Sequence, residues 1–305
     1  MILIRVIFLG TSASIPTKNR ALPSIMILRN GEQLIFDCGE GVQRQMLIAG
    51  VGLRKNLRIF ISHMHADHVL GLAGILMSLS LTGRQDPLEV YGPSKLSSFI
   101  ELVKELFNFT PSFDIIIHKV SDGVVYRGRG FKIVAFKVKH MEESYGYALV
   151  EDLRPGKFDP RKAEKLGVPK GPLWKALQEG KPVKIDGREV KPEDVMGPPR
   201  RGLKIVYSGD TALMQEMIEI SRDADLLIHE ATFDDTLQEM AVNELHTTAS
   251  QAATIAREAG VKKLVLTHIS PRYEDPTILL TQAKKIFDNT IIAEDLMNIE
   301  LAWSD

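Results

Sequence analysis

Leu57-Arg58-Ile59-Phe60-Ile61, followed at once by Ser62-His63-Met64-His65-Ala66-Asp67-His68, is the stretch on which the fold turns. An apolar run that ends in three imidazoles and a carboxylate delivers ligands to one point in space. Imidazole nitrogen and carboxylate oxygen are ligands that zinc accepts, and imidazole also suits other first-row metals. Side chains alternate faces along an extended strand, so His63 and His65 project to the same side. Asp67 and His68 fall where the chain turns into the helix-like Val69-Leu70-Gly71-Leu72-Ala73-Gly74-Ile75-Leu76 and reach a second point nearby. One short loop therefore seeds two adjacent metal sites. A polar loop with surface histidines is the alternative, but H-x-H-x-D-H directly after a buried strand is too unusual a pattern for it to be preferred.

Three further positions share this context. His140 ends the strand-like run Phe131 to Lys139, Asp210 follows Leu203 to Gly209, and His268 follows Lys263 to Thr267. In layered α/β folds sites collect at strand ends, where a rigid sheet meets free loops. Singly, each residue reads as a capping carboxylate or a satisfied histidine. Together with the first cluster, the joint functional reading is the stronger one.

This order of ligands, H-x-H-x-D-H, a single His, an Asp in Ser-Gly-Asp-Thr and a late His, resembles the metallo-β-lactamase-fold hydrolases. Other segments are similar to the ribonuclease Z family of tRNA 3′-processing endonucleases. They are Phe8-Leu9-Gly10-Thr11-Ser12-Ala13, Pro16-Thr17-Lys18-Asn19-Arg20, Asp37 to Gln45, Ile228-His229-Glu230-Ala231-Thr232-Phe233, His246-Thr247-Thr248-Ala249 and Leu266 to Tyr273. The metal motif is specific to the superfamily; the His-Glu-Ala-Thr-Phe and His-Thr-Thr-Ala segments are specific to ribonuclease Z. The chain departs from the family at Ala21, where Asn is frequent, and at Ala66, where Gly commonly precedes the motif Asp.

The resemblance implies an α/β fold, a four-layer αββα metallo-β-lactamase sandwich spanning residues 1–305 with a protruding arm insertion. It also implies two Zn²⁺ per subunit, with Mn²⁺ or Fe²⁺ as alternatives. By motif position His63, His65 and His140 hold one metal, Asp67, His68 and His268 the other, and Asp210 bridges them. Asp67 also orients the attacking water. His246 is the proton donor and Glu230 its orienting carboxylate, since a carboxylate beside an imidazole raises its pKa. The competing readings are a residue at a helix start for His246 and a buried ion-pair partner for Glu230. Asp37 is placed to orient a ligand histidine, and His118 and His229 read as structural. The implied reaction removes the 3′ trailer from precursor tRNA, leaving a tRNA 3′-hydroxyl and a trailer 5′-phosphate, in a homodimer.

Length and composition agree with this reading. A chain of 305 residues with 44% hydrophobic residues has ample material for a core. The single cysteine, Cys38, excludes an internal disulfide, fits a reducing cytoplasm, and reads as a buried, inert thiol. Met1 to Leu9 reads as a first strand rather than a signal peptide, and no run approaches a membrane span. The net charge of −1 first argues against a nucleic-acid partner. Its distribution reverses that: Glu151 to Lys204 holds 14 Lys and Arg against 9 Asp and Glu, a local +5. A basic segment binds polyanion through its local field whatever the global sum.

Alternating strand and helix signals in two strand-rich halves predict two packed sheets with helices outside. Between the halves lies the Pro-, Gly- and Lys-rich stretch 153–199. It has helix-like pieces at Pro160 to Leu166 and Leu173 to Glu179 but little continuous apolar periodicity, so it reads as a flexible, functional segment. By resemblance it is the arm that grips tRNA. Arg154, Lys157, Lys170 and Lys175 are its candidate phosphate contacts, and Lys18 and Arg20 are candidates for approaching the 3′ end of the acceptor stem. Trp174 reads as packing within the arm. The nearest rival is a small-molecule phosphodiesterase or thioester hydrolase of the same superfamily, for which a basic arm has no use. A non-catalytic RNA binder is disfavoured because all seven ligand positions are filled.

Overall fold

The apolar runs form sixteen strands in a computed structural model that describes residues 3–303. They are β1 (Leu3–Gly10), β2 (Ser24–Arg29), β3 (Glu32–Phe36), β4 (Leu57–Phe60), β5 (Leu88–Gly92), β6 (Ile115–Lys119), β7 (Gly123–Gly128), β8 (Phe131–Lys137), β9 (Tyr145–Glu151), β10 (Val183–Ile185), β11 (Arg188–Val190), β12 (Lys204–Tyr207), β13 (Leu226–Glu230), β14 (Leu264–Thr267), β15 (Thr290–Ile292) and β16 (Asn298–Ala302). Two seven-stranded sheets result, in the orders β16-β1-β2-β3-β4-β5-β6 and β15-β14-β13-β12-β9-β8-β7. Both are mixed: antiparallel hairpins such as β1–β2 and β2–β3 adjoin the parallel pairs β3–β4 and β4–β5, while β12–β13 and β13–β14 run parallel in the second sheet.

The chain divides into two compact units. One holds residues 1–128, 132–150 and 203–305; the other holds 129–131 and 151–202. In the first unit, α1 (Val42–Ile48), α2 (Ala66–Leu81) and α3 (Lys95–Leu106) cover one sheet. Val42, Met46, Leu72, Ile75, Leu76, Leu96 and Ile100 pack there against Ile35, Ile59 and Val90. Seven further helices follow: α4 (Pro160–Lys165), α5 (Pro172–Gln178), α6 (Pro192–Val195), α7 (Glu216–Ser221), α8 (Gln238–Asn243), α9 (Ala249–Glu258) and α10 (Thr277–Lys284). Three of them, α7, α9 and α10, cover the second sheet, where Met217, Ala252, Ala253, Ala256 and Leu279 bury against Val206, Leu227 and Leu264. Small alanines let α9 approach the strands closely. Between the sheets, Phe36 and Phe60 stack at 5.1 Å and both meet Tyr147 at 5.6 Å. The buried Tyr147 hydroxyl donates to Ile61 O at 2.7 Å, which satisfies its one polar atom. The layers are thus helix, sheet, sheet, helix, the expected sandwich.

The second unit departs from the sequence reading. The stretch is not without a core: Ala163, Val168, Leu177, Val183, Val190 and Val195 bury together, with Phe158, Leu173 and Trp174 against them. Its apolar residues are spread over short helices and a hairpin, so no single periodicity reveals them. The hairpin β10–β11 turns on Asp186-Gly187, both with positive φ (48° and 81°). That is the backbone a two-residue Asp-Gly turn demands. Trp174 packs within this unit as expected, 5.1 Å from the Phe158 ring, with its indole N–H donating to Val168 O at 2.8 Å.

Candidate active site

β4 ends at Phe60, three residues before the first motif histidine, so His63 and His65 meet through a loop and not by strand alternation. His65 directly precedes α2, and Asp67 and His68 lie in that helix's first turn. His140 follows β8 by three residues, Asp210 follows β12 by three, and His268 directly follows β14. His268 takes φ 56°, a left-handed conformation that costs a non-glycine residue energy and that clusters at functional sites.

These loops bring all seven predicted ligand residues together. One ligand atom from each of His63, His65 and His140 lies within 4.8 Å of the others, and the same holds for Asp67, His68 and His268 and for His63, His68 and Asp210. Asp210 is central: its Oδ2 lies 3.2 Å from His68 Nε2, 3.2 Å from His268 Nε2 and 3.7 Å from His63 Nε2. Asp67 Oδ2 stands 3.6 Å from both His68 Nε2 and His268 Nε2 and accepts from Ser14 N–H at 2.8 Å.

The outer nitrogens are already occupied, which aims the inner ones. His68 Nδ1 pairs with Asp37 Oδ2 at 2.8 Å, His268 Nδ1 with Thr232 Oγ1 at 2.9 Å, His140 Nδ1 with Leu245 O at 3.1 Å, and His63 Nδ1 with Ser62 Oγ at 2.9 Å. Asp37 is fully buried at φ 61° and also accepts from Ser62 N–H, the Ser62 hydroxyl and the Tyr207 hydroxyl. Such carboxylate–histidine pairs orient metal ligands.

The chemistry of the donor set fits divalent cations. His68 Nε2, His268 Nε2 and Asp210 Oδ1 are buried without a hydrogen-bond partner. Buried polar atoms are rarely left so unless something else satisfies them, and both imidazole nitrogens stand 3.2 Å from the other Asp210 oxygen, Oδ2. The titration of the groups is divided: burial opposes charge on His68, yet Asp210 and Asp37 raise it well above its ordinary value, whereas two others take the form that ligates. Burial opposes charge on Asp210, yet His268 and His68 hold its carboxyl well below the usual range. Burial, with His68 beside it, holds His63 far below its ordinary value, which favours the neutral, ligating form.

Beside this centre stands a second constellation. Glu230, at the end of β13, is 1% exposed and accepts from His246 Nδ1 at 2.9 Å, Thr247 N–H at 3.0 Å, Thr211 N–H at 3.2 Å, and Thr232 N–H and hydroxyl at 3.0 and 2.8 Å. So many donors keep a carboxylate ionised: burial opposes the charge, and His246 outweighs it. Burial likewise pushes His246 down, but Glu230 wins and raises it to about 9. With Nδ1 bound to Glu230, the free nitrogen of His246 is Nε2. Its ring lies 4.9 Å from His140 and 5.3 Å from His268.

The remaining predicted residues are placed less uniformly. Lys18 is exposed. Arg20 donates to Thr11 Oγ1 at 2.7 Å and Ala293 O at 2.6 Å, so its guanidinium pins its own loop. In the second unit Lys157 is exposed, Arg154 donates to Arg201 O at 3.1 Å, Lys170 pairs with Glu164 at 3.2 Å and lies 5.6 Å from the Trp174 ring, and Lys175 pairs loosely with Glu179 at 3.9 Å. His118 stacks on Tyr91 at 4.4 Å, His229 is fully buried with Nδ1 donating to Glu230 O at 2.7 Å, and Cys38 is a buried thiol pushed up by burial and Asp37.

Sequence reasoning missed Thr232, which joins His268 to Glu230, and Asp295. The Asp295 carboxylate accepts from the Thr11 hydroxyl at 2.7 Å, Ala21 N–H at 2.7 Å and Gln45 Nε2 at 2.8 Å, tying the Lys18 loop to the body. Asp295 sits just past β15, the same strand-end context as the ligands, and that was its available signal.

Comparison with known proteins agrees. The family described as beta-lactamase superfamily domain matches residues 181–269, and that of the anti-Pycsar protein Apyc1 matches residues 4–154. The chain is 48% identical to ribonuclease Z of Methanosarcina acetivorans over 99% of each, and 46% identical to ribonuclease Z of Myxococcus xanthus over the full length of both. Among solved structures, human tRNase Z, short form, is 28% identical with a TM-score of 0.70 and covers 97% of this chain and 98% of its own. The metallo-β-lactamase fold protein YhfI of Bacillus subtilis, at 22% identity and TM-score 0.70, shares the fold. The chain belongs to the ribonuclease Z family.

Proposed function

We propose that this protein is a metal-dependent endoribonuclease that removes the 3′ trailer from precursor tRNA. The observation that carries the reading is the pairing of a seven-residue ligand centre with a buried Glu230–His246 couple whose Nε2 is free. Bound divalent ions, zinc by this reading and two per subunit, supply charge neutralisation at phosphorus and a nucleophilic water at neutral pH. His63, His65 and His140 would hold one ion and Asp67, His68 and His268 the other, with Asp210 as the carboxylate shared between the two groups. Asp67, fixed by Ser14 N–H, orients the attacking water. The new oxygen–phosphorus bond forms as the bond to the tRNA 3′ oxygen breaks, and His246 Nε2 gives its proton to that leaving oxygen. The products are a tRNA 3′-hydroxyl and a trailer 5′-phosphate. Glu230 holds the imidazolium in place and charged.

Lys18 and Arg20 serve the end of the acceptor stem, and Arg154, Lys157, Lys170 and Lys175 of residues 153–199 meet tRNA phosphates. The protein acts as a homodimer. In support, Leu47 and Ile48 of α1 and Leu70 and Leu81 of α2 are exposed, by 77% and 88% at Leu47 and Leu81, an apolar surface that a second copy would cover. No helix among the described residues is long and apolar enough to cross a membrane, and we place the enzyme in the cytoplasm. The test is cleavage of end-labelled precursor tRNA, with a small phosphodiester as the rival substrate. A product ending at the nucleotide before the trailer supports the reading. Hydrolysis of the small diester alone would replace it with the phosphodiesterase reading.

A further inference from the structure

Thr232 places one hydroxyl between the ligand centre and the proton donor. Its Oγ1 stands 2.9 Å from His268 Nδ1 and 2.8 Å from Glu230 Oε2. A third neighbour, His246 Nδ1, lies at 3.3 Å and is closer to Glu230 Oε1, at 2.9 Å. Thr232 is 4% exposed, so solvent hardly competes for these contacts. Its backbone is clamped on both sides. Ala231 N–H donates to Thr267 O at 2.9 Å, next to the ligand His268, and Phe233 O accepts at 3.1 Å from Ala249 N–H at the start of α9. Thr232 N–H itself donates to Glu230 Oε2 at 3.0 Å. A branched Cβ restricts the side chain to few rotamers, which holds the hydroxyl oxygen between its two partners.

The hydrogens can be counted. A hydroxyl has one hydrogen to give and lone pairs with which to accept, and a neutral imidazole carries a hydrogen on one nitrogen only. Thr232 can spend its hydrogen on Glu230 or on His268, not on both. Spent on Glu230, it leaves a lone pair that accepts from His268 Nδ1–H. The free lone pair of His268 is then on Nε2, 3.2 Å from Asp210 Oδ2 and 3.6 Å from Asp67 Oδ2, which is the ligating tautomer. Spent on His268, it makes Nδ1 an acceptor, puts the ring hydrogen on Nε2 against Asp210, and takes a donor from Glu230. Glu230 Oε1 accepts from His246 Nδ1, Thr211 N–H and Thr247 N–H, so the choice falls on Oε2 alone. One hydrogen has two places, and only one of them is compatible with a cation on His268.

Resting on the endoribonuclease reading above, we infer that Thr232 is a positioning residue that couples occupancy of the His268 metal site to the Glu230–His246 pair. With Nε2 ligating, His268 donates from Nδ1, Thr232 turns its hydrogen onto Glu230, and the carboxylate that holds His246 gains its full set of donors. The link runs both ways, because coupling between two sites is reciprocal. A change at Glu230 that refuses the Thr232 hydrogen favours the His268 tautomer that does not ligate.

The test compares the wild type with Thr232→Val, which keeps the shape and deletes the hydroxyl, and Thr232→Ser, which keeps the hydroxyl. Zinc affinity is measured by chelator competition with no RNA present. Thr232→Val should hold one of its ions about 10–100-fold more weakly, the usual cost of losing a group that orients a ligand histidine, and Thr232→Ser should restore most of that loss. Glu230→Gln, although Glu230 is not one of the seven proposed ligands, should weaken the same ion by itself and add little in Thr232→Val. At saturating zinc, Thr232→Val should lose about tenfold more of its precursor tRNA cleavage than of its bis(p-nitrophenyl) phosphate hydrolysis, whose leaving group needs no proton. Unchanged zinc affinity in Thr232→Val, or in Glu230→Gln without any Thr232 variant, overturns the inference. So do a Thr232→Ser as damaged as Thr232→Val, zinc losses that simply add in the double variant, and equal losses on the two substrates. If the wild type and its variants show the zinc coupling but the wild type cuts no precursor tRNA, the endoribonuclease reading has failed and the coupling stands.

Discussion

Replacing His246 with Ala removes the one imidazole beside the ligand centre whose Nε2 is free to deliver a proton. With its pKa raised to about 9, His246 is the protonated, donating form at neutral pH. At pH 7.5 such a group is about 97% protonated, against roughly 9% for an ordinary histidine. A ribose 3′ oxygen is a poor leaving group and needs that proton; p-nitrophenolate does not. A positioned general acid contributes typically ~10²–10⁴-fold. His246→Ala should therefore slow single-turnover cleavage of precursor tRNA by about that factor while costing bis(p-nitrophenyl) phosphate hydrolysis less than about tenfold. Zinc content, measured on the same preparation, should be unchanged, since the seven proposed ligands remain. Equal losses on the two substrates would refute the general-acid assignment and make His246 a residue that shapes the metal centre.

Other outcomes follow from the same geometry. Glu230→Gln removes the charge that raises His246, so the alkaline limb of the rate profile should move to lower pH, and five hydrogen bonds to the carboxylate are disturbed. In chelated protein the pair's stabilisation is fully present below about pH 6.5 and lost as pH rises through about 9, since the folded pKa is the higher one; thermal melts from pH 6 to 10, compared with Glu230→Gln, read this. Gly71→Ala would place a Cβ 2.1 Å from Gly39 O and 2.9 Å from Cys38 O. Both are backbone atoms, so α2 must shift, at about 1–3 kcal/mol, and because its first turn carries Asp67 and His68, metal affinity should fall with the melting temperature. Arg154 and Arg200 exchange backbone hydrogen bonds at 2.7 and 2.9 Å, so residues 155–199 can be replaced by a short Gly-Ser linker. That variant should keep small-diester hydrolysis, lose most affinity for precursor tRNA, and show a shallower dependence of that affinity on salt.

The ligand residues were legible because their chemistry is local: H-x-H-x-D-H after an apolar run has few other uses, and strand ends mark where the other three must converge. The path by which they converge was less legible. His63 and His65 were expected to align by strand alternation, but β4 stops at Phe60 and Ile61 to His65 form a loop that leads into α2. The left-handed backbone at His268 and Asp37 leaves no mark in residue type. Thr232 and Asp295 act through partners 36 and 250 or more residues away, His268 for the one and Gln45 and Ala21 for the other, and no local pattern records such a pairing. The small core of residues 151–202 was hidden because its six buried residues are scattered over short elements, although Asp186-Gly187 announced a hairpin.

The most direct measurement of the central claim is to incubate purified protein and an Asp210→Ala variant, each with Zn²⁺ or Mn²⁺, with precursor tRNA labelled at its 5′ end, and to map the products at nucleotide resolution. The account predicts one cut immediately before the trailer, a 3′-hydroxyl on the tRNA fragment, and no product from Asp210→Ala, which lacks the proposed bridging carboxylate. A cut at another position, or an Asp210→Ala variant that still cleaves at the wild-type rate, would contradict it.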